Sequence, residues 1–348
     1  MILIAYGTRP EIIKLFPVVN ALVERGLPHR TLFTGQHTDL YEDVKDLVPP
    51  PDFSFADSFT GEQKHNTLGG SYVKICRAAE ALYTRQRFDT VVVQGDTTTA
   101  WALSQMAFYN GVRIAHVEAG LRTYDLMNPY PEELNRTLIT QIADYNFAPT
   151  RRAFEILVRS GARNVHLVGN TIVDAVDYFK KTLRLTTAVT PLVPVTLHRR
   201  ENHAIIEDLF RELERIATKY RKLKFVLPIH PNPHVRKHRH LLTAANIQVI
   251  DPVGYPEMLR MISCAAFLIT DSGGIQEEAT CFNKKVIIAR ETTERPEVLE
   301  IGLGRIAGRN MEKAIEWACD PPPSLKASPY GDGRAAFRIA DILSGEAS

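Results

Sequence analysis

Short apolar segments alternate with longer segments of mixed polarity along the first half of the chain. The apolar segments are Ile2 to Tyr6, His29 to Thr34, Thr90 to Val93, Val112 to Val117, Tyr145 to Ala148 and Val165 to Val168. Segments this short are typical of strands in a buried sheet. Between them, residues 68 to 87 show the apolar spacing of an amphipathic helix. The pattern predicts a parallel sheet with helices on both faces.

The same alternation returns in the second half with a different sequence. Its apolar segments are Pro194 to Leu197, Phe225 to Ile229, Ile247 to Ile250, Ala266 to Thr270 and Val286 to Ala289. We therefore predict an α/β protein of two Rossmann-like, doubly wound domains that face each other across a cleft. The predicted N-terminal domain covers residues 1–168, and a helix within 335–348 packs back on it. The predicted C-terminal domain covers residues 169–334.

Length and composition narrow the class of protein. The 348 residues are 45% hydrophobic, which suits two domains with separate cores. The net charge is only +2, so no general attraction to nucleic acid or to an acidic membrane is expected. No apolar segment approaches the roughly 20 residues that span a bilayer, and the basic start of a signal peptide is missing. These features predict a cytoplasmic protein, with its four cysteines reduced and used for packing.

The segment from Gln94 to Arg136 holds the candidate chemistry. Asp96 lies in QGDTTT, the polar segment after one predicted strand, and Glu118 directly follows the next strand. Ligands bind beyond the carboxyl ends of strands in an open parallel sheet, so both acids are candidate site residues. The motif PEELNR adds Glu132 and Arg136, which share one face if a helix begins near Pro131. A single acid of this kind is more often a cap, but several acids close together favour a functional site.

Two strand-to-helix turns are candidate anion sites. In GTRPEIIK a predicted strand ends before Gly7, and Arg9 and Lys14 follow at the start of a helix. An ordinary turn with two surface cations explains this motif equally well. In DSGGIQEEA the main-chain N–H groups of Ser272, Gly273 and Gly274 are predicted to bind a diphosphate, with Glu278 placed to accept a hydrogen bond from a ribose. The alternative is a glycine turn that only caps a helix.

Histidine and glycine motifs elsewhere in the chain are weaker indications of a functional site. His198, in HRREN, follows a strand and is a candidate for phosphate binding or proton transfer. His230, His234 and His238 have the spacing of a helical metal site, but two prolines interrupt the helix, so no metal is predicted. Gly302-x-Gly304 lacks the third glycine of a dinucleotide motif, so no nicotinamide cofactor is predicted either.

The motifs GTRPEIIK, QGDTTT, HVEAGLRT, PEELNR, HRREN, DSGGIQEEA and TTERPE occur in this order over nearly the whole chain. In this the chain resembles the non-hydrolysing UDP-N-acetylglucosamine 2-epimerases. The resemblance implies a GT-B fold, a homodimer, UDP held mainly by the C-terminal domain, and no cofactor. It implies conversion of UDP-N-acetylglucosamine to UDP-N-acetylmannosamine, by anti elimination of UDP to a 2-acetamidoglucal and re-addition.

The resemblance also implies roles for individual residues. Those matching the family's catalytic positions are Asp96, Glu118, Glu132 and His198. Those matching its substrate-binding positions are Arg9, Lys14, Arg136, Ser272, Gly273, Gly274, Glu278 and Arg295. Gln36, His37 and His230 resemble part of a second, regulatory UDP-sugar site, although Asp39 does not fit it. Three further positions depart from the family: Leu197, Asn283 and Lys285, where Gly, Gly and Pro are usual.

Other activities remain open at this point. A GT-B glycosyltransferase would use a similar UDP site but transfer the sugar to an acceptor. A hydrolysing epimerase would release free N-acetylmannosamine, and a non-catalytic sensor would only bind the UDP-sugar. An epimerase for a UDP-N-acetyl sugar with further groups would differ only in its substrate. The sequence does not say which carboxylate acts as the base.

Overall fold

A computed structural model describes residues 1–36, 44, 47–59, 67–186, 188–325 and 327–345. The chain divides into two compact units. The N-terminal unit is Met1–Ala175 with Tyr330–Ser348, and the C-terminal unit is Val176–Pro329. The division falls inside a helix that follows Gly169, and the end of the chain belongs to the N-terminal unit.

A seven-stranded sheet forms the centre of the N-terminal unit, and every pair of neighbouring strands is parallel. Its order is β3-β2-β1-β4-β5-β6-β7. The strands are β1 (Ile2–Tyr6), β2 (His29–Phe33), β3 (Phe53–Ser54), β4 (Thr90–Gln94), β5 (Arg113–Val117), β6 (Tyr145–Ala148) and β7 (Val165–Leu167). The sequence did not reveal β3, because two residues are too short to produce a pattern.

A six-stranded parallel sheet of order β10-β9-β8-β11-β12-β13 forms the C-terminal unit. Its strands are β8 (Leu192–Thr196), β9 (Lys224–Pro228), β10 (Ile247–Ile250), β11 (Leu268–Thr270), β12 (Val286–Ile288) and β13 (Gly304–Ile306). Five of these were predicted. The edge strand β13 was missed because it is short and two of its three residues are exposed. The predicted fold class, two doubly wound parallel sheets, is confirmed.

Helices connect most of the strands and cover the sheets. Those of the first half are α1 (Arg9–Glu24), α2 (Leu68–Arg85), α3 (Thr98–Tyr109), α4 (Glu132–Ile142), α5 (Arg151–Arg159) and α6 (Thr171–Leu183). Those of the second half are α7 (Ile206–Lys219), α8 (Pro233–Arg236), α9 (Tyr255–Cys264), α10 (Gly273–Cys281), α11 (Pro296–Glu300), α12 (Glu312–Cys319) and α13 (Ala335–Ser344).

The strand order places a switch point in each sheet. In the N-terminal unit β2 and β3 lie on one side of β1, and β4 lies on the other side. The chain segments that leave β1 and β4 therefore run in opposite directions along the sheet. In the C-terminal unit β8 and β11 stand in the same relation. Crevices at such points bind ligands in doubly wound folds. Each unit therefore has one favoured position for a site.

The last helix is attached to the N-terminal unit through a buried acid. The Asp174 carboxylate accepts the N–H groups of Ala335 and Ala336, at 3.3 and 2.9 Å, at the start of α13. Arg338 in the next turn donates to the Val168 carbonyl at 3.0 Å. These bonds satisfy free N–H groups of the helix and place a negative charge at its N-terminus.

The packing around Gly120, just after β5, predicts that an alanine there would measurably destabilise the fold. Gly120 has φ +94°, and a Cβ there would lie 2.5 Å from the Ala153 oxygen and 2.9 Å from Leu157 Cγ. Gly111 also has a positive φ but has nothing within 4 Å of its Cβ position. Both Ala substitutions should lower the free energy of unfolding by about 1–2 kcal/mol, because alanine disfavours the left-handed backbone. We expect Gly120→Ala to cost about 1–3 kcal/mol more, because of the clash.

Urea unfolding of both variants tests this expectation. The chain has two tryptophans, Trp101 in the N-terminal unit and Trp317 in the C-terminal unit. In a Trp317→Phe background, the fluorescence of Trp101 follows the N-terminal unit alone. Equal unfolding midpoints for Gly120→Ala and Gly111→Ala would contradict the packing described here.

Candidate active site

The N-terminal half-site consists of the turns after β1, β4 and β5 together with the first turns of α4. Glu118 directly follows β5 and is 7% exposed. Its Oε2 atom lies 2.5 Å from Lys14 Nζ and 2.5 Å from Gln94 Nε2. A cation on α1 and an amide at the end of β4 therefore hold one oxygen of this carboxylate.

The backbone at Glu118 adopts the left-handed conformation, with φ +64°. A non-glycine residue in this region costs of the order of 1–3 kcal/mol and persists only where its surroundings fix it. Here the Lys14 and Gln94 contacts and the bond from the Ala119 N–H to the Phe147 oxygen, 3.0 Å, fix the turn. Strain at an acid after a strand is typical of a functional position.

Asp96 follows β4 and is held by α4. Its carboxylate pairs with Arg136 Nη2 at 3.0 Å, and its carbonyl oxygen accepts a hydrogen bond from Asn135 Nδ2 at 2.8 Å. The Arg136 side chain is buried, whereas that of Asp96 is 25% exposed. The structure thus brings two of the predicted residues, Asp96 and Arg136, into direct contact.

Arg136 has a second acidic neighbour that the sequence analysis did not select. Its Nε lies 3.5 Å from the Glu133 carboxylate, and it contacts the main-chain oxygen of Glu132 at 3.4 Å. Glu133 also accepts the N–H groups of Thr123 and Tyr124, both at 3.0 Å. The predicted catalytic acid Glu132 is the first residue of α4, and its neighbour Glu133 fixes the turn that follows Glu118.

A further buried acid connects two turns of this half-site. Glu11 is fully buried on α1, where its Oε2 accepts the Gly7 N–H at 3.0 Å and its Oε1 accepts the Thr97 hydroxyl at 2.6 Å. Burial raises the pKa of Glu11 to about 7, against the lowering effect of these hydrogen bonds. This acid lies in the motif GTRPEIIK but is not among the predicted site residues.

Burial shifts the pKa of His116, on β5, in the opposite direction. Burial lowers its pKa to about 4, so the ring is neutral near pH 7. Its Nε2 lies 2.7 Å from the Gly95 oxygen, which can only accept, so the proton is on Nε2. This bond ties β5 to the turn that carries Asp96.

Gln36 and His37 were predicted to belong to a regulatory site. The Gln36 side-chain oxygen accepts the Thr99 N–H at 3.0 Å and the Thr99 hydroxyl at 2.8 Å. Thr99 and Thr34 share a further hydroxyl bond of 2.7 Å. Gln36 is therefore attached to the first turn of α3, close in sequence to Asp96. His37 lies outside the described residues.

The C-terminal half-site consists of the turns after β8, β11 and β12. Asp271, fully buried after β11, accepts the N–H groups of His198 and Arg199 at 2.8 and 2.9 Å and the Asn202 amide at 3.0 Å. One carboxylate thus fixes the backbone conformation of the HRREN turn. His198 Nδ1 lies 3.5 Å from the other Asp271 oxygen, which places a negative charge beside the ring.

His198 and His230 stack on each other, with ring centroids 5.2 Å apart and planes inclined by 8°. His230 was predicted for the regulatory site and His198 for catalysis. The contact brings the turns after β8 and β9 together within this unit. A change at either ring therefore affects the packing of the other.

The DSGG turn leads into α10, which begins at Gly273. The Ser272 N–H donates to Thr270 Oγ1 at 3.0 Å within the turn. The N–H groups of Gly273 and Gly274 belong to the first helical turn, where no intrahelical acceptor exists. Glu278 lies farther along α10 and is buried.

Arg295 lies against this glycine turn. A Cβ at Gly273 would lie 3.5 Å from Arg295 Cζ, which shows how closely the guanidinium approaches the helix. Glu277 binds Arg295 Nε at 2.6 Å. Burial would raise the pKa of Glu294, but the charges of Arg295 and Arg290 outweigh this and lower it to about 2. Cations and helix N–H groups thus meet at one position suited to a phosphate.

The described residues contain neither a candidate metal cluster nor a candidate membrane-spanning helix. No group of three or more His, Cys, Asp or Glu side chains among them is arranged to hold a metal ion. No helix in this part of the chain is long and apolar enough to cross a membrane.

Comparison with known proteins connects this geometry to a family. The family model described as UDP-N-acetylglucosamine 2-epimerase matches residues 20–344. The chain is 36% identical to the UDP-N-acetylglucosamine 2-epimerase of Campylobacter jejuni, over 98% of this chain and 97% of that protein. The chain belongs to the UDP-N-acetylglucosamine 2-epimerase family. The resemblance inferred from the motifs is confirmed.

Solved structures of this family match over almost the whole chain. The Neisseria meningitidis UDP-GlcNAc 2-epimerase bound to UDP-GlcNAc has a TM-score of 0.90 at 31% identity and covers 99% of each chain. The Methanocaldococcus jannaschii UDP-GlcNAc 2-epimerase in complex with UDP-GlcNAc and UDP has a TM-score of 0.87 at 34% identity, also over 99% of each chain. The fold of this chain is therefore the GT-B fold of the epimerase family.

The buried charges of the N-terminal half-site predict opposite effects of pH on stability. Glu11, raised from 4.5 to about 7, stabilises the fold below pH 4.5 and loses this contribution as the pH rises through 7. His116, lowered from 6.5 to about 4, stabilises it above pH 6.5 and loses this contribution as the pH falls through 4. Each contribution amounts to about 3 kcal/mol, and the two offset each other between pH 4.5 and 6.5.

Two substitutions separate these contributions. Relative to the parent, Glu11→Gln should gain stability as the pH rises from 4.5 to 6.5, and His116→Gln should lose it. The measurement is urea unfolding at several pH values, followed by Trp101 fluorescence in the Trp317→Phe background. Parallel curves for the parent and both variants would show that neither group titrates as described.

Proposed function

We propose that the protein interconverts UDP-N-acetylglucosamine and UDP-N-acetylmannosamine without a metal or a nicotinamide cofactor. Membership of the epimerase family supports this, as does the UDP-GlcNAc bound by the structural relative from Neisseria meningitidis. The observation that carries the proposal is Glu118 in a strained left-handed turn, bound by Lys14 and Gln94. This turn holds the Glu118 carboxylate in a fixed position at the carboxyl ends of the parallel strands.

The reaction needs this kind of site because the hydrogen on carbon 2 is not next to a carbonyl group. In the proposed route the bond between carbon 1 and the diphosphate oxygen breaks, and UDP leaves with the electron pair. A carboxylate removes the proton from carbon 2, which leaves a 2-acetamidoglucal. An acid then returns a proton to the opposite face of carbon 2, and UDP adds back to carbon 1.

We assign the proton transfers to acids of the N-terminal unit, Asp96, Glu118 and Glu132. The contact between Asp96 and buried Arg136 supports a role for Asp96, because it holds the carboxylate in a fixed position. Lys14 holds the Glu118 carboxylate in the same way. Arg136 thus serves the reaction through Asp96.

We assign the leaving group mainly to the C-terminal unit. The α10 N-terminus, with Gly273 and Gly274, the Ser272 hydroxyl and the neighbouring Arg295, suits the developing charge on the diphosphate. His198 and Arg9 are proposed to add donors, and Glu278 to bind the ribose. Gln36, His37 and His230 are proposed to take part in a regulatory UDP-sugar site.

Incubation with UDP-N-acetylglucosamine in deuterated water, followed by NMR, tests the function. We expect deuterium at carbon 2 of a mannosamine epimer that is still linked to UDP. Free N-acetylmannosamine would indicate a hydrolysing epimerase. No exchange without an acceptor, but sugar transfer with one, would indicate a glycosyltransferase. Binding with no turnover would indicate a sensor.

Substitution of the acids tests the assignment of roles. We expect Glu118→Gln to lower kcat by about 100-fold to 10,000-fold, the usual contribution of a general acid or base, because the amide cannot take a proton. The Kd for UDP, measured by calorimetry, should change little. Glu155→Gln, an exposed position on α5, is the matched control and should leave kcat unchanged. An unaltered kcat in Glu118→Gln would remove this residue from the mechanism.

We also propose that the protein is a homodimer, as the resemblance to the family implies. Light scattering coupled to size-exclusion chromatography should give a mass of twice the 39.1 kDa of one chain. A mass of one chain at micromolar concentration would refute this proposal without affecting the proposed activity.

A further inference from the structure

Glu11 is a buried acid to which the reaction above assigns no role. Its carboxyl group joins two backbone turns that are far apart in sequence: the Gly7 turn after β1 and the Thr97 turn after β4. The side chain has no exposed surface. It therefore contacts no bulk solvent, and its hydrogen bonds stay within the protein.

Each of these turns carries a proposed active-site residue. Gly7 lies two positions before Arg9, the first residue of α1. Thr97 directly follows Asp96 and caps α3 by accepting the Ala100 N–H at 3.0 Å. The Thr97 hydroxyl thus accepts from the helix and donates to Glu11, so its orientation is fixed at both ends.

The surrounding packing leaves these turns little freedom. A Cβ at Gly7 would lie 2.2 Å from both Thr34 Oγ1 and Thr99 Oγ1. The two threonines are hydrogen-bonded to each other, and Thr99 is bound by Gln36. The Gly7 turn therefore sits directly on the first turn of α3, and the carboxyl group of Glu11 sets how the two are aligned.

We propose that Glu11 is a positioning residue for the epimerase reaction, because its carboxyl group aligns the Gly7 turn with the Thr97 cap and so sets the positions of Arg9 and Asp96. This proposal rests on the proposed function. It explains why an acid is buried here although burial disfavours its charge. The carboxyl group supplies two oxygens at once, which a shorter or apolar side chain does not.

The conservative and the apolar substitutions separate positioning from simple packing. Glu11→Leu leaves the buried Gly7 N–H without its acceptor. We expect kcat to fall about 100-fold, because small misplacements of reacting groups have effects of this size. The KM for UDP-N-acetylglucosamine and the Kd for UDP should change less than kcat does, because the leaving group is assigned mainly to the C-terminal unit. Glu11→Gln keeps a side chain that bonds to both turns and should restore kcat to within about threefold of the parent.

Leu22→Ala is the control for lost stability. Leu22 is fully buried on the same helix, about three turns beyond Glu11, and is not among the residues assigned to the reaction. This variant should be destabilised, with kcat unchanged. A similar fall in kcat for Leu22→Ala and Glu11→Leu would overturn the proposal, since the effect would then follow stability.

A second pair of variants decides the question if Glu11→Leu does not fold. Thr97→Val removes the hydroxyl that binds Glu11, and Thr97→Ser retains it. We expect Thr97→Val to lower kcat at least tenfold and Thr97→Ser to stay within threefold of the parent.

Three further outcomes would overturn the proposal: a folded Glu11→Leu with parental kcat, a Glu11→Gln as inactive as Glu11→Leu, or a folded Thr97→Val with parental kcat. A parent protein without epimerase activity is a different result. It would refute the proposed function itself, and the role of Glu11 with it.

Discussion

Buried carboxylates bind the backbone N–H groups of the turns that follow the strands, and the geometry of both half-sites depends on those bonds. Glu11 binds the N–H of Gly7, Glu133 binds those of Thr123 and Tyr124, and Asp271 binds those of His198 and Arg199. A turn that leaves a parallel sheet has N–H groups without ladder partners, and burying them unpaired costs about 1–3 kcal/mol each. A carboxylate with two oxygens satisfies two of them and fixes the turn.

This arrangement separates the acids into two kinds. Glu11, Glu133 and Asp271 are buried and each accepts at least one backbone N–H group, so they are suited to support. Asp96 is partly exposed and is held through one face by Arg136. The proposed chemistry needs acids such as Asp96 in fixed positions. The buried acids hold the turns that keep them there. Loss of a supporting acid should therefore affect turnover as well as stability.

The sequence predicted the parts of this site that depend on local pattern. The apolar segments located most strands, and the strand ends located Asp96, Glu118 and the DSGG turn. The sequence did not reveal that Glu133 binds the N–H groups of Thr123 and Tyr124, because that contact depends on how α4 is rotated about its axis. It did not reveal that Gln94 binds Glu118, because that contact joins the ends of two strands. The bond from Glu11 to Gly7 spans four residues and had a local signal, but the bond to Thr97 had none.

The three departures from the family pattern have a consistent physical explanation. Asn283 has φ +52°, a conformation that Asn tolerates better than most residues, so it can replace a glycine there. Lys285, in place of proline, donates to the Trp317 carbonyl at 2.6 Å and lies over the Trp317 ring. Leu197, in place of glycine, is buried in the core of the C-terminal unit. Each substitution is accommodated by backbone or core contacts, and the bonds of Asp271 to the neighbouring turn remain in place. The constraint at this site is therefore the hydrogen bonding of the turns, and residues beside the turns can change as long as that bonding is kept.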